Sequence, residues 1–224
     1  MRMPKKDRSS TCRYSEKMIS LIIPAFNEED TVANVVSVAK NYVDEILVVD
    51  DGSTDRTALR AKGAGAKVIS HSSNQGYLVA LRTGFKEVRG SVIVTMDADG
   101  QHDSRHIPKI TEPILKGEAD LVLGIRRSHL SFWEKLITML TRFRVQISDA
   151  STGFRALRRE IAVNMKLKGK CPCGTFVLEA AEIGARIKEV EVEVQPRRKG
   201  TSRMDKDHLI QTLIVIKQLA SVST

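Results

Sequence analysis

Along the first 126 residues, short apolar runs alternate with stretches of helical periodicity. The runs ISLIIPAF (19–26), EILVVDD (45–51), AKVISH (66–71), SVIVTMD (91–97) and ADLVLGIR (119–126) are rich in β-branched residues and read as buried strands. Between them, Val32, Val35, Val36 and Ala39 keep the i, i+3, i+4, i+7 spacing of one helix face, and Tyr77, Ala80, Leu81, Gly84 and Phe85 do the same in the third connection. Strand and helix alternating in this way predict an α/β domain: a Rossmann-like, mostly parallel sheet covered on both faces and joined by right-handed crossovers. Ligands of such sheets sit beyond the carboxyl ends of the strands. Three of the predicted strands end in polar clusters, PAFNEED, VDDGSTD and MDADGQHD, which should therefore converge on one edge.

That convergence raises the question of what so many carboxylates do together. Acidic groups gathered at one rim repel one another, and a divalent cation with oxygen ligands relieves the repulsion. A hard ion such as Mg²⁺ or Mn²⁺ takes one or two protein carboxylates and completes its shell with water and substrate phosphates. Asp97 and Asp99 fit that demand, and Gly100 allows a sharp turn that brings Gln101 or His102 near the same ion. Asp50, Asp51 and Asp55, on the neighbouring strand end, can accept hydrogen bonds from a nucleobase edge or from ribose hydroxyls. No G-x-G-x-x-G follows the first strand and no G-x-x-x-x-G-K-[ST] occurs, which argues against nicotinamide cofactors and P-loop ATPase chemistry.

Further along, residues 130–147 (LSFWEKLITMLTRFRVQI) place Trp133, Leu136, Ile137, Leu140 and Arg144 on successive helical turns. Such an amphipathic helix suits either a membrane interface or burial on the sheet. LIQTLIVIKQLA (209–220) is a second amphipathic candidate, and the Glu/Val alternation at 189–194 reads as a half-exposed strand. The expected organisation is a flexible basic tail over 1–17, a catalytic domain over 18–204 and a C-terminal helix over 205–224.

Composition narrows the classes. Of the 224 residues, 42% are hydrophobic, enough for a folded core, and no stretch approaches the ~18 to 20 consecutive apolar residues of a spanning helix. The net charge of +9 lies in the second part, since residues 1–120 hold 17 basic and 17 acidic side chains whereas residues 121–224 hold 19 and 10. An anionic partner for that half is one reading and a solvated basic surface is the other. Nucleic acid is disfavoured, because only 4% of residues are aromatic and no recognition motif occurs. Cys12, Cys171 and Cys173 give neither a disulfide framework nor a zinc ligand set. His71, His106, His129 and His208 have no partner at metal-ligand spacing and read as surface or loop residues.

The segments IIPAFNEE (22–29), VVDDGSTDRT (48–57), NQGYLVALRTGF (74–85), DADGQH (97–102), GIR (124–126), SDASTGFRAL (148–157) and EVEVEVQPRRKGTSR (189–203), in this order, resemble the family 2 glycosyltransferases of GT-A fold, particularly the dolichyl- and polyprenyl-phosphate sugar synthases. The resemblance implies an inverting, metal-dependent transfer of a sugar from a nucleotide donor, GDP-mannose first and UDP-glucose or a UDP-N-acetylhexosamine next. Pro24, Phe26, Glu28, Asp50, Asp51 and Ala98 would line the nucleotide pocket, and Asp97, Asp99 and Gln101 would carry Mg²⁺ or Mn²⁺. Arg126, Arg197 and Arg203 would hold the diphosphate, whose extra charge on leaving a metal and guanidinium groups would stabilise. Arg203 stands where many relatives have Lys, and Gly100 where close synthase relatives often have Leu.

For the acceptor, a lipid phosphate is ionised near pH 7 and needs no general base. Arg142, Arg144 and Arg155 are expected to form its anion site beside the helix at 130–147. A hydroxyl acceptor on a glycan or lipid-linked saccharide would need a base, for which Asp149 is the available carboxylate; Asp149 can equally fix the STGF loop by capping it. The catalytic set is thus Asp97, Asp99, Asp149 and Arg126. The expected partners are a nucleotide-sugar, a polyprenyl or dolichyl phosphate, the cytosolic face of a membrane and a separate membrane protein.

Overall fold

The computed structural model describes residues 17–126, 130–195 and 205–221. The expected tail over 1–17 falls, except for Lys17, outside the described residues, as does the domain boundary at 204. Seven strands form one sheet in the order β3-β2-β1-β4-β6-β5-β7. They are β1 (Ile19–Ala25), β2 (Glu45–Asp50), β3 (Lys67–Ser70), β4 (Val92–Thr95), β5 (Leu121–Arg126), β6 (Arg155–Arg158) and β7 (Ile187–Val192). Strands β1 to β4 pair in parallel, as does β7 with β5. Strand β6 runs antiparallel to both β4 and β5.

Side chains alternate between two cores, as a doubly covered sheet requires. On one face Ile22, Leu47 and Val49 pack with α3 (Tyr77–Glu87), α6 (Arg159–Asn164) and α7 (Thr175–Glu182). On the other, Leu21, Ile23 and Val48 pack with α1 (Val32–Ala39), α2 (Thr57–Gly63) and α4 (Ile107–Leu115). The five strands read from apolar runs and the half-exposed β7 match the observed elements within one or two residues. Strand β6 was not foreseen, because RALR carries two arginines and no alternation.

The reversed strand decides where the site lies. After β5 the chain stays at the carboxyl rim, forms α5 (Phe132–Thr141), and enters the sheet again from that rim as β6. Arg126, α5, Asp149 and Gly153 are therefore delivered to the same edge as the ends of β1, β2 and β4.

The face of α5 differs from the one expected. Ile137, Thr138 and Thr141 are buried, Trp133, Leu136 and Leu140 are half-buried, and Phe132 (72%), Met139 (53%) and Phe143 (77%) stand in solvent. The inward face packs on α8 (Asp205–Ser221). Helix α8 buries Gln211, Thr212 and Gln218 beside Val215 and turns Ile210, Leu213 and Ile216 outward, so three polar residues lie inside while three aliphatic ones face solvent. Gln211 explains the inversion. Its Oε1 accepts from Lys170 N and Cys171 N at 3.1 and 3.2 Å, and its Nε2 donates to Cys173 O and Thr175 Oγ1 at 2.9 and 3.0 Å. The C-terminal helix is thereby stapled to the segment before α7 and belongs to the same core. Among the described residues no helix is long and apolar enough to cross a membrane.

Helices α5, α7 and α8 meet at Gly174, whose φ is +74°. A Cβ there would lie 2.9 Å from Ile137 Cγ2, Thr141 Oγ1 and Val215 Cγ2. Gly174→Ala combines that overpacking with left-handed strain and is expected to cost about 2 kcal/mol. The thermal midpoint should fall by about 4 to 8 °C, measurable by calorimetry.

Candidate active site

The loops after β1 and β2 are interlocked by their own polar residues. Asn27, at φ +55°, accepts at its side-chain oxygen from Thr54 N (2.9 Å) and donates its backbone N–H to Ser53 Oγ (2.9 Å). Glu28 N donates to Thr57 Oγ1 at 2.7 Å, and Arg56 N donates to the Glu29 carboxylate at 3.1 Å. Asp55, expected among the nucleoside-binding carboxylates, instead accepts from Thr57 N and Oγ1 at the start of α2 and from Glu29 N. Pro24 is buried within β1 opposite Val49, while Phe26 and Glu28 are half-buried at the rim. Thr31 Oγ1 donates to the Glu28 carboxylate at 3.0 Å.

Asp50 and Asp51 are both buried. Asp50 Oδ1 accepts from Ser53 N at 3.1 Å, closing the DDGS turn. Asp51 accepts from Gln75 N (2.9 Å), Gly76 N (2.7 Å) and the His71 ring (Nδ1, 2.7 Å), so both its oxygens are committed to protein donors. It holds the loop entering α3. His71 is correspondingly not a free surface residue, since its other nitrogen meets Thr83 Oγ1 at 3.0 Å.

The DADGQH turn lies between these loops and the strand returning as β6. Asp97 is half-buried, and its Oδ1 accepts from the Tyr77 hydroxyl at 2.9 Å. Gly153 lies against Asp97 Oδ2, where any Cβ would overlap the carboxylate. Ala98 buries its methyl in the core, and Asp99 Oδ1 accepts from Gln101 N at 3.0 Å around Gly100, whose φ is +74°. Gln101 is drawn toward the end of β7, with Gln195 N donating to its carbonyl at 2.8 Å and its Nε2 donating to Gln195 O at 3.4 Å. His102 is buried and stacks on Phe154 at 5.2 Å; burial drives its imidazole down to about 4, which leaves it neutral at pH 7.

Among the described residues no three His, Cys, Asp or Glu side chains are grouped to hold an ion by themselves. Asp97 and Asp99 nevertheless supply the hard oxygen donors that Mg²⁺ or Mn²⁺ accepts when phosphate oxygens and water fill the other positions. The residues thus fit a metal shared with a substrate phosphate.

Arg126, at the end of β5, sits in a compact polar cluster. Its Nε donates to Asp149 Oδ2 (3.1 Å), and its Nη2 donates to Glu134 Oε1 (2.8 Å) and Ser151 Oγ (3.1 Å). Asp149, 1% exposed, also accepts from Ser151 N and Oγ, the loop-fixing geometry of an Asx turn. Glu134 was absent from the sequence-derived set, although S-x-x-E at 131–134 is a capping-box signature that marks it as a helix-start residue. Burial pushes its carboxyl up, but hydrogen bonds from Arg126 and Ser131 outweigh that and hold it at about 2.

The arginines expected to receive the acceptor phosphate do not form one site. Arg142 is exposed and its Nε donates to Ile147 O at 2.8 Å. Arg144 lines a separate groove of about 320 Å³ with Leu178, Glu182, Gln218 and Leu219. Arg155 is wholly buried, because β6 aims its side chain into the core, where the guanidinium lies 4.3 Å from the Phe176 ring centroid. It cannot be a surface anion site. Arg197 and Arg203 lie outside the described residues.

A doubly wound sheet with an interrupting antiparallel strand and a D-x-D turn at its rim defines a nucleotide-sugar transferase architecture. Residues 20–176 match the family model "Glycosyl transferase family 2", and the chain belongs to that family. It is 33% identical over 211 residues to dolichol-phosphate mannosyltransferase of Pyrococcus furiosus, covering 83% of this chain and 59% of that protein. It is 29% identical over 225 residues to dodecaprenyl-phosphate galacturonate synthase of Rhizobium johnstonii, covering 91% and 66%. The chain therefore spans about three-fifths to two-thirds of the length of these relatives. Its fold superposes with TM-score 0.74 on glucosyl-3-phosphoglycerate synthase of Mycobacterium tuberculosis, solved in complex with Mn²⁺, UDP and phosphoglyceric acid, at 26% identity over 92% of this chain and 78% of that one. The protein is a glycosyltransferase of GT-A fold.

The depressed Glu134 pKa has a consequence for stability. An acid held at about 2 when folded, against an ordinary 4.5, stabilises the fold fully above 4.5 and loses that contribution as pH falls toward 2. Glu134→Gln should be less stable than the parent by about 3 kcal/mol at pH 7, with the gap closing between pH 4.5 and 2 in denaturant titrations.

Proposed function

We propose that this chain transfers a sugar from a nucleoside diphosphate donor to a polyprenyl or dolichyl phosphate at the cytosolic face of a membrane. The observation that carries the reading is the double role of α5. Its Glu134 is bonded to Arg126 at the rim, while Phe132, Met139 and Phe143 project from the same helical segment into solvent. A lipid phosphate needs this combination, an anion-handling rim with an apolar surface beside it. The inverted helix α8 adds Ile210, Leu213 and Ile216, and exposed Lys135, Arg142, Arg144 and Lys217 lie along the two helical segments to meet anionic headgroups. Relatives named for dolichol-phosphate and dodecaprenyl-phosphate substrates support the same class.

In this reading a phosphate oxygen of the lipid attacks the anomeric carbon, and the bond from that carbon to the β-phosphate oxygen breaks. The electron pair leaves with the nucleoside diphosphate, and the anomeric centre inverts. An ionised phosphate has no proton to surrender, so Asp149 serves as the loop anchor its hydrogen bonds describe. Asp97 and Asp99 hold Mg²⁺ or Mn²⁺, which when bound supplies positive charge to the departing diphosphate. Asp50, Phe26 and Glu28 border the nucleotide, with GDP-mannose the first choice of donor, and Arg197 and Arg203 assist the diphosphate. A membrane-protein partner would meet the same α5 and α8 surface.

Labelled GDP- and UDP-sugars incubated with polyprenyl phosphate should yield organic-extractable label in Mg²⁺ or Mn²⁺ and none in EDTA. Label confined to the aqueous phase would move the acceptor to a soluble phosphate or hydroxyl compound. Asp99→Ala is expected to abolish the transfer with an unchanged melting curve, since a rim carboxylate adds little to the core. Replacing both Phe132 and Phe143 by Ser should weaken co-sedimentation with anionic liposomes at least about tenfold, because each ring contributes roughly 1.5 to 3 kcal/mol when buried. Undiminished vesicle binding would remove α5 from the membrane contact.

A further inference from the structure

We propose that Tyr77 is a positioning residue for the metal-binding carboxylate, fixing the orientation of the Asp97 side chain through Oδ1. The inference rests on the assignment of Asp97 to the metal site and goes beyond it by naming what holds that side chain in place.

Three observations meet at this carboxylate. The Tyr77 hydroxyl donates to Asp97 Oδ1 at 2.9 Å from the first turn of α3. Gly153 packs against Oδ2 so closely that a Cβ at that position would overlap the carboxylate. Behind the phenol, Arg155 presents a wholly buried guanidinium stacked on Phe176, with no hydrogen-bond partner on any of its three nitrogens. A guanidinium has donors only, so it cannot compete for the phenolic hydrogen, which goes to Asp97.

A carboxylate that binds a hard cation through one oxygen needs its other oxygen occupied, or it rotates among several arrangements of similar energy. Outer partners of this kind commonly alter metal affinity about ten- to hundredfold. Tyr77 reaches Asp97 only because the loop before α3 is itself held by Asp51 through the Gln75 and Gly76 amides. The clamp therefore begins on the β2 loop and ends on the metal turn.

Mn²⁺ titrated into the full chain with saturating UDP, and separately GDP, and followed by the electron paramagnetic resonance of free Mn²⁺, tests this without requiring turnover. Tyr77→Phe keeps the ring and lets water reach a half-buried carboxylate, so the fold is expected to persist. Its Mn²⁺ affinity should fall about ten- to hundredfold. In transfer assays the metal concentration for half-maximal rate should rise while the rate at saturating Mn²⁺ stays near that of the parent. Gly153→Ala, which crowds Oδ2 and leaves the phenol in place, should weaken Mn²⁺ binding as well. Parental affinity in Tyr77→Phe, or in a folded Gly153→Ala, overturns the clamp while leaving the transferase reading intact. No Mn²⁺ binding by the parent with either nucleotide overturns the metal assignment and this inference together.

Discussion

Carboxylates crowded at one edge of a sheet must each be met by a donor, and the architecture of the rim follows from how that demand is satisfied. Asp51 takes two backbone amides and an imidazole, Asp55 caps the start of a helix, and Asp149 and Glu134 share one guanidinium. These contacts turn the ends of β1, β2 and β5 into fixed loops. Asp97 and Asp99 are met differently, one by a phenol and the other by an amide around a left-handed glycine. Repulsion among the acids is thus converted into order.

The same division separates what the sequence reveals from what it conceals. Strands buried on both faces announce themselves as unbroken β-branched runs, and the sheet, its polar rim and the D-x-D turn were legible for that reason. Strand β6 was hidden because Arg155 sits in the core against Phe176, an environment no local pattern discloses. Helix α4 carries Pro108 and Pro113, and α7 buries six consecutive residues, Thr175 to Ala180, which removes the polar face that periodicity depends on. Within the site, residue types were readable but their employment was not. Asp51 read as a ligand-binding acid and clamps the loop entering α3, while Tyr77 read as a core helix residue and reaches the D-x-D turn. Both roles arise from contacts more than twenty positions apart along the chain or nearly so, which only the tertiary arrangement creates.

Helix α5 connects the chemistry with the surroundings of the enzyme. Its first turn is tied to Arg126 by Glu134, its inner side rests on α8 around Gly174, and its outer side is apolar. Helix α8 continues that outer surface because Gln211 is consumed internally, in four hydrogen bonds to the segment before α7 and its first residue. A polar residue turned inward has left aliphatic residues outside.

The antiparallel insertion of β6 has a consequence for how such an enzyme can change. Strands β5 and β6 are neighbours, and Gly124 N donates to Phe154 O at 2.9 Å where the chain leaves and re-enters the sheet. The excursion between β5 and β6 is therefore a detour whose two ends are already joined, and lengthening it costs little closure entropy. Its last residues touch the end of β4, where Gly153 packs on Asp97, whereas the loops after β1 and β2 hold one another without it. Residues can be added within this self-closed excursion while the interlocked loops after β1 and β2 are inherited unchanged.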